Sequence, residues 1–362
     1  KRLNDDTSKE IFEKKINGKH YAFDYRGVMT YTWTLKATAN ATTASNWLYF
    51  SDPEDGARQT KGWFKVVAPD RDGDDNTFKD YTTISATPTF AVGDADDENE
   101  RWYYADGDGN LEVGKIKKIK GKYYGFAPEG NKAGSMLTGL CALRVDSNGN
   151  ITKLWARDMD SDDLDDAMKH QGDFQTTGDY FGYSADDTLY YFGNNEDADG
   201  ALKTGNVSVT LDGDSYQFQF SKTGGAEGKG RGLNGIDDGK YIYKFGQKLK
   251  AGSDDKYIVV EKTSHYEGDK VKYTTYRKLD DAKEFMNADG VQVKDELDGK
   301  NGNDAVNIGN GNTKKAEDLS EAYSITYKDK DAKGDKKEYI LVNTSGKIVD
   351  GKGKNKDGSD YY

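Results

Sequence analysis

The sequence predicts a mainly all-β protein, a solenoid of stacked β-hairpins of about twenty residues each with short helical insertions. Aromatic residues make up 12% of the 362 residues, whereas all hydrophobic residues together make up 34% and the mean hydropathy is −0.95. Glycine is frequent, with 42 residues against 4 prolines. A phrase of Gly-Lys, paired aromatics, an acidic or glycine-containing turn and Thr-Gly recurs along the chain. These observations indicate many short strands that bury thin aromatic layers instead of one large aliphatic core.

The recurring phrase carries the local signals of a β-hairpin. In "YIYKF" (241–245) aromatic residues alternate with the period of a half-buried strand. The dipeptides "DG", "NG" and "EG" supply backbone positions with positive φ, which favour tight hairpin turns. An isolated hairpin is marginal in water, so neighbouring hairpins are expected to stack and bury their aromatic faces.

Short helices are expected between the hairpins. Ser161 is the predicted N-cap of the first, with acidic residues in its first turn. The helical candidates are "SDDLDDAMKHQ" (161–171), "LDDAKEFMNADG" (279–290), "KKAEDLSEAY" (314–323) and one turn in "TSKEIFEKK" (7–15). The segment 298–315 has few apolar residues and is predicted to be a mobile loop or a junction.

The repeats divide the chain into three predicted segments. These are an N-terminal hairpin-repeat segment (1–150), a second repeat segment with a helical insertion (151–262) and a divergent C-terminal segment with helical insertions and a final partial repeat (263–362). The chain begins on a charged stretch and ends on "DGSDYY", which is typical of an incomplete repeat. We therefore expect it to be attached to further domains in a longer protein.

Charge and composition exclude several partners. A net charge of −12 disfavours nucleic acid and anionic membrane surfaces. No apolar run approaches the length of a membrane-spanning helix, so no membrane insertion is expected. The single cysteine, Cys141, excludes internal disulfides and is expected to be a small buried hydrophobic residue.

Acidic stretches at 69–76, 94–100, 105–110 and 157–166 were tested as calcium loops. An EF-hand needs oxygen ligands at positions 1, 3 and 5, glycine at 6 and an acid at 12. Loops starting at Asp70, Asp106 or Asp158 place Asp75, Leu111 or Asp163 at position 6 and no acid at position 12. Solvated acidic turns are the preferred interpretation, no metal ligand is predicted, and adventitious calcium binding stays open.

No catalytic constellation is predicted. His20, His170 and His265 lie in unrelated contexts, and neither Gly-x-Ser-x-Gly nor His-Glu-x-x-His occurs. The "GKGRG" at 228–232 lacks the Gly-Lys-Ser/Thr ending of a P-loop. The chain is therefore predicted not to be an enzyme and to need no cofactor. A glycan-active hydrolase with paired carboxylates stays open as the third hypothesis.

Four short motifs carry a family resemblance. They are "GW" at 62–63, "WYY" at 102–104, "GKYYGF" at 121–126 and "YYF…KTG" within 190–205. With these motifs the chain resembles the cell-wall-binding repeat family, which includes choline-binding and glucan-binding modules of Gram-positive surface proteins and repeats of clostridial toxins. The resemblance is strongest at 15–33, 47–64, 100–143 and 188–262 and weak at 265–335. The chain departs from the family pattern in having only one Gly-Trp and one Trp-Tyr-Tyr, which weakens the case for choline.

The resemblance implies aromatic grooves between successive hairpins. Such rings can stack on the C–H face of a sugar or hold a quaternary ammonium by cation–π attraction. The matching positions are Trp47, Tyr49 and Trp63 in one groove, Trp102, Tyr104 and Tyr124 in the next, and Trp33 in a groove further toward the N-terminus. The alternative is that these rings only form the core between hairpins.

The implied function is a non-catalytic cell-surface or carbohydrate-binding module. It would anchor a secreted protein to cell-wall polysaccharide, teichoic acid or glucan at the cell-wall surface of a Gram-positive bacterium. A structural spacer or protein-interaction segment is the second hypothesis. The two differ in one respect: a spacer buries essentially all of its tryptophans, whereas a binding module leaves pairs of rings open.

Overall fold

Short antiparallel strand pairs dominate the fold, which confirms the predicted all-β class. The stacking of the hairpins into a solenoid stays a prediction. The computed structural model describes residues 11–24, 27–36, 43–51, 54–71, 90–169, 175–176, 178–195, 197, 199–253, 255–279, 299–309, 312–316, 322–323, 328–330, 336–349, 353–354 and 360–361.

The chain forms two compact units. The first contains Lys1–Asp158, Tyr191–Lys203 and Gly224–Gly228, and the second contains Met159–Tyr190, Thr204–Thr223 and Lys229–Tyr362. Each unit therefore draws on separate stretches of sequence. The division into three segments that the repeats predict concerns repeat boundaries, and it stays a prediction.

The first unit is built from strand pairs β1-β2-β3, β4-β5, β6-β7, β8-β9 and β10-β11. The strands are β1 (Phe12–Ile16), β2 (Lys19–Phe23), β3 (Met29–Thr30), β4 (Thr32–Leu35), β5 (Trp47–Phe50), β6 (Gly62–Val66), β7 (Arg101–Ala105), β8 (Lys115–Ile119), β9 (Lys122–Phe126), β10 (Leu140–Val145) and β11 (Ile151–Ala156). Three short 3-10 turns lie at Ala44–Asn46, Ala95–Asp97 and Gly130–Lys132.

The turn between β1 and β2 shows why these hairpins form locally. Asn17 and Gly18 both have positive φ, 48° and 85°, as the two-residue hairpin turn requires. The "NG" dipeptide forms a hairpin turn here, as predicted for dipeptides of this kind. In contrast, the predicted helical turn at 7–15 is wrong for Phe12–Lys15 of β1, and residues 7–10 lie outside the described part.

The core of the first unit is aromatic. One cluster of buried residues contains Trp33, Leu35, Ala44, Trp47, Phe64, Phe90, Tyr103, Ala105, Leu111 and Ala133. A second cluster contains Ile119, Phe126 and Met136. Cys141 is buried without a disulfide, as expected from the sequence, and burial raises the pKa of its thiol to about 12.

The second unit holds two larger sheets, ordered β15-β16-β19-β18-β17 and β21-β20-β26-β25, with β27 paired to β26. Its strands are β12 (Gln175–Thr176), β13 (Asp179–Tyr180), β14 (Asp187–Tyr191, whose last residue belongs to the first unit), β15 (Gly205–Leu211), β16 (Asp214–Phe220), β17 (Gly235–Asp237), β18 (Tyr241–Lys244), β19 (Gln247–Lys248), β20 (Tyr257–Glu267), β21 (Lys270–Leu279), β22 (Ala305–Gly309), β23 (Asn312–Lys315), β24 (Ala322–Tyr323), β25 (Lys328–Lys330), β26 (Lys336–Asn343), β27 (Ile348–Val349), β28 (Gly353–Lys354) and β29 (Asp360–Tyr361).

The predicted helix at 161–171 is confirmed as α1 (Ser161–Met168), but its predicted cap is wrong. Asp160 is the N-cap, because its side chain accepts a hydrogen bond from the backbone N–H of Asp163. The Ser161 hydroxyl instead donates to Asp212 Oδ2 at 2.7 Å. A second helix, α2 (Gly225–Gly228), is one turn long. No described helix is long and apolar enough to cross a membrane.

The remaining helical predictions differ from the structure or fall outside its described part. The helix predicted at 279–290 lies outside the described residues, apart from Leu279, which ends β21. At 314–323 the helix prediction is wrong for the end of β23 (314–315) and for β24, whereas Ala316 is helical and 317–321 lie outside the described residues. The predicted loop at 298–315 contains the antiparallel pair β22-β23. Tertiary strand pairing overrides the weak local helix propensity in these segments.

Candidate functional site

The hairpin formed by β6 and β7 positions the candidate site. Its register sets Trp63 opposite Tyr104, Phe64 opposite Tyr103 and Lys65 opposite Trp102. Because successive side chains of a strand point to opposite faces, Phe64 and Tyr103 share one face of the pair. Trp63, Lys65, Trp102 and Tyr104 share the other.

The Phe64 face belongs to the core. Phe64 and Tyr103 stack with ring centroids 5.8 Å apart, and the Trp33 ring packs edge-on against Tyr103 at 5.1 Å. Trp33 is 3% exposed and its indole N–H donates to the Val67 carbonyl at 2.9 Å, while Trp47 is 1% exposed. Neither ring can contact a ligand. Trp33 and Trp47 are therefore core residues, and their assignment to grooves on sequence grounds is wrong.

Tyr49 also packs on this core instead of joining Trp63. Its ring stacks on Phe64 with centroids 5.1 Å apart and meets the Trp33 edge at 5.2 Å. The predicted groove of Trp47, Tyr49 and Trp63 is thus divided between two clusters. The reason is the alternation along β6, which sends Phe64 to the first cluster and Trp63 to the second.

The opposite face carries a cluster that we call the aromatic platform: Trp63, Trp102, Tyr104 and Tyr124. All four side chains are half-buried. Trp63 lies at the centre, with ring centroids 4.8 Å from Tyr124, 5.2 Å from Tyr104 and 6.3 Å from Trp102. The buried Phe126 stacks beneath Trp63 at 5.6 Å. Three predicted site residues, Trp102, Tyr104 and Tyr124, are therefore brought together, and Trp63 joins them.

The ring spacing limits how this platform can hold a ligand. A cation bound between two ring faces needs both centroids within about 6 Å of it, so the faces stand well apart. The three rings around Trp63 instead each pack edge-on against it, at interplanar angles of 69° to 86°. A ligand would therefore lie across the exposed ring surfaces and not between Trp63 and a neighbour.

A carboxylate fixes the rim of the platform. The Trp102 indole N–H donates to Asp197 Oδ1 at 2.9 Å, and Lys65 Nζ lies 2.7 Å from the same oxygen. Hydrogen bonds from Lys65 and then from Trp102 lower the pKa of Asp197, so its carboxylate is ionised at neutral pH. Lys65 Nζ also lies 5.9 Å from the Trp102 ring centroid. These contacts hold the Trp102 ring in one orientation.

Sequence reasoning missed both rim residues. Lys65 could have been found, because it lies two residues after Trp63 in a strand pattern and so shares its face. Asp197 carries no local signal, since it is 95 residues from Trp102 in the chain.

A polar cavity of about 540 Å³ adjoins Trp102. Its lining includes Trp102, Met136 and three basic side chains, Arg101, Lys132 and Arg157. Glu98 pairs with Arg101, and Asp158 Oδ2 lies 3.3 Å from Arg157 Nε. The cavity therefore places hydrogen-bond donors and acceptors directly beside an aromatic surface.

The fifth tryptophan, Trp155 on β11, was not predicted to bind anything and is not part of the platform. It is half-buried, with the Arg144 guanidinium 5.3 Å and Lys153 Nζ 5.1 Å from its ring centroid. Both cations are held by cation–π attraction. Trp155 is thus a partly exposed tryptophan in a different environment.

The acidic "DGDGN" at 106–110 is a turn, as predicted. Asp106 Oδ1 accepts hydrogen bonds from the backbone N–H groups of Asp108 and Asn110, each at 2.8 Å, and Oδ2 accepts from Asn110 Nδ2 at 3.0 Å. Asp146 makes the same three kinds of contact in "DSNGN". Within the described ranges, no three His, Cys, Asp or Glu side chains are grouped as metal ligands. Most of the 69–76 candidate lies outside those ranges.

The histidines stand in separate environments where they are described. His20 Nδ1 lies 3.9 Å from Glu13 Oε2, and the His265 ring stacks on Tyr273 at 4.3 Å. His170 lies outside the described residues.

Comparison with known proteins places the chain beside choline-binding structures. No family and no curated protein matches the sequence. Among solved structures, the autolysin LytC of Streptococcus pneumoniae matches at 14% identity with a TM-score of 0.26, over 68% of this chain and 35% of LytC. Choline binding protein F of the same species matches at 15% identity and a TM-score of 0.25, over 94% of this chain and 92% of that one. CbpJ matches at 16% identity, with a TM-score of 0.23, over 66% of this chain and 87% of CbpJ.

The chain is thus similar to choline-binding proteins of a Gram-positive bacterium, the kind of protein that its sequence motifs also resemble. It spans about a third of LytC, the first of these structures. No residue role is carried over from any of them.

Proposed function

We propose that this chain is a non-catalytic module that binds a cell-wall polymer through the aromatic platform and so anchors a secreted protein to a Gram-positive cell surface. The observation that carries the proposal is the gathering of four half-buried rings on one face of the β6-β7 pair and the adjoining β9. Apolar patches that stay open on a protein surface mark interaction and ligand-binding sites, which makes this partly exposed cluster a candidate binding surface.

The platform favours a sugar over a quaternary ammonium. Each neighbouring ring packs edge-on against Trp63, which leaves no gap for a cation between Trp63 and its neighbours, whereas stacking of a sugar C–H face needs only one open ring face. The cavity next to Trp102 adds polar groups of both signs, which hydroxyl-rich ligands need. Cell-wall polysaccharide or glucan is therefore the proposed ligand class, ahead of the choline of a teichoic acid.

Two binding measurements test this function. The purified chain is applied to a glycan array that includes glucans and peptidoglycan fragments, and it is titrated with choline. It is also sedimented with purified Gram-positive cell walls. We expect retention on cell walls and stronger binding to a neutral glycan than to choline. Absence of binding to both the array and the walls would refute the proposal.

Trp102→Ala is the variant that links this binding to the platform. It removes one ring and the hydrogen bond to Asp197, and we expect retention on walls to fall at least ten-fold, because truncating a tryptophan at a binding hot spot typically costs about 2 kcal/mol or more. Circular dichroism of the variant checks that the fold is kept.

A structural spacer is the second candidate, and one observation favours it. Trp33 and Trp47 are fully buried and serve only to pack hairpins together. The spacer hypothesis predicts that the platform rings also serve only to pack hairpins together. In that case the chain binds neither walls nor glycans, and Trp102→Ala lowers stability.

A further inference from the structure

A second cavity, of about 610 Å³, lies wholly within the second compact unit. Its volume is within the roughly 300–1,000 Å³ typical of small-molecule sites. The residues around it come from the loop at 182–188, the paired strands β15 and β16, the segment 231–234 and β21. The aromatic platform belongs to the first unit and shares no residue with this cavity.

The floor of the cavity is closely packed. Phe220 and Phe245 are almost fully buried, and Gly232 lies against the Phe245 backbone so closely that an added Cβ would be 2.2 Å from its carbonyl oxygen. The backbone N–H of Gly232 donates to Leu189 O at 2.9 Å. The cavity is therefore formed by well-ordered backbone and not by a gap between loose loops.

Three polar side chains line the cavity without using their hydrogen-bonding groups elsewhere. Asn206 on β15 is directly opposite Gln219 on β16, and Lys222 follows shortly after β16. Within the described part of the chain, none of the three has a hydrogen bond or an ion pair from its side chain. Two amides and one ammonium group thus face the cavity with donors and acceptors available to a ligand.

The cavity is lined by more positive than negative side chains. Arg231 is held in place by hydrogen bonds to Ala185 O at 2.7 Å and to the Tyr190 hydroxyl at 3.5 Å. The one carboxylate, Asp187, is 4% exposed and accepts from the backbone N–H groups of Gly182 and Ser184. The lining therefore contains two cations, Arg231 and Lys222, and this one carboxylate.

We propose that this cavity binds a short acidic saccharide, a sugar unit carrying one carboxylate or phosphate. The two amides would hydrogen-bond sugar hydroxyls, and Arg231 with Lys222 would hold the anionic group. Tyr273, whose ring stacks on His265, supplies an aromatic part of the lining. The net charge of −12 disfavours long polyanions, so the ligand is short. This site is independent of the platform and of the function proposed for it.

Calorimetry on the full chain tests the proposal with three probes. Galacturonate supplies one carboxylate, glucose 6-phosphate supplies a phosphate, and the methyl ester of galacturonate is the neutral match. We expect at least one acidic probe to bind about ten-fold more tightly than the neutral ester, because hydrogen bonds to charged groups are the stronger ones. Whichever acidic probe binds identifies the anionic group.

Lys222→Gln should weaken binding of that acidic probe about ten-fold, and a double Asn206→Ala, Gln219→Ala variant should weaken it by a similar factor. Lys250→Gln, an exposed lysine of the same unit away from the cavity, should leave it unchanged. Trp63→Ala should also leave it unchanged, which separates this site from the platform. Equal affinity for acid and ester, no binding of either acid, or full binding by Lys222→Gln would overturn the proposal.

Discussion

Trp102 is held at the platform by a single polar contact, the hydrogen bond from its indole N–H to Asp197. Trp102→Phe keeps an aromatic ring but loses this donor, and Asp197→Asn keeps the shape but loses the charge that also attracts Lys65. We expect each change to weaken glycan binding by about three-fold, since the ring remains but is less well oriented.

A double-mutant cycle on Trp102→Phe and Asp197→Asn measures this coupling through the two single and one double dissociation constants. If the effects of the two changes simply add, Asp197 does not act through Trp102, and the role given to the rim is wrong.

Lys244 gives a pH-dependent prediction. Burial, and to a smaller extent the charge of Arg277, lowers the pKa of Lys244 to about 8. Its Nζ donates to the Met168 carbonyl. Below pH 8 the lysine is protonated in both the folded and the unfolded chain, and its destabilising effect is complete. Between about pH 8 and 10.5 only the unfolded chain keeps the proton, so stability rises with pH through this window.

Lys244→Met removes that titration. The free energy of unfolding of the variant should exceed that of the wild type most at pH 7, by about 3 kcal/mol at most, and the difference should shrink toward pH 10.5. Urea unfolding of both proteins at several pH values measures it. The difference between the two proteins is free of the contribution of the buried tyrosines to the pH dependence, because both proteins contain them. Their pKa values are raised to about 12. A difference that does not change with pH would contradict the claim that Lys244 is buried with a lowered pKa.

Among the elements, the turn at 106–110 contains a matched pair of glycines. Gly109 has a φ of +78°, and an added Cβ would lie 2.9 Å from Arg58 Cδ, whereas Gly107 has no positive φ and its Cβ would meet only the flexible Lys61 side chain at 3.4 Å. Gly109→Ala should destabilise the protein by about 1–2 kcal/mol and Gly107→Ala by less than about 0.5 kcal/mol. Thermal unfolding compares them, and equal losses would show that the turn geometry is wrong.

Contiguous hairpins could be predicted from the sequence because turn chemistry and alternation are local. The β1-β2 hairpin is the clearest example, with Asn17 and Gly18 in the required positive-φ conformation. The stretch "KYYGF" shows the limit of this reasoning: it was predicted to begin a hairpin, but it is β9, the second strand of the pair that β8 begins.

The pairing of β6 with β7 could not be predicted in the same way. Their aromatic motifs were assigned to two successive repeats, but they form one antiparallel pair whose strands are separated by residues 67–100. No local turn signal specifies a closure over that distance. This pairing is what brings Trp63 to Trp102 and removes it from Trp47, so the composition of the platform depended on tertiary structure.

For the whole molecule, net charge predicts how wall binding responds to salt. With a net charge of −12 and a neutral aromatic platform, attachment should not depend on ionic attraction. Raising NaCl from about 0.05 M to about 0.5 M should change retention on cell walls by less than about two-fold. A basic protein that binds the same walls serves as the control and should be released. Release of this chain by salt would indicate ionic attachment instead.

The two compact units explain why sequence segments and structure divide the chain differently. Residues 191–203 and 224–228 belong to the first unit although parts of the second unit precede them in sequence. One of these returning stretches contributes Asp197 to the platform rim. Repeat phrases indicate strands, but they do not specify which distant stretches complete a unit, because that choice depends on burial and not on local conformation.

The central claim is that the aromatic platform binds the wall polymer, and a sedimentation isotherm with purified Gram-positive cell walls tests it most directly. Trp63→Ala removes the ring that contacts the other three, and Trp155→Ala removes a similarly half-buried tryptophan elsewhere. We predict that Trp63→Ala raises the dissociation constant at least ten-fold while Trp155→Ala changes it by less than about two-fold. Equal effects of the two substitutions, or no effect of either, would contradict the claim.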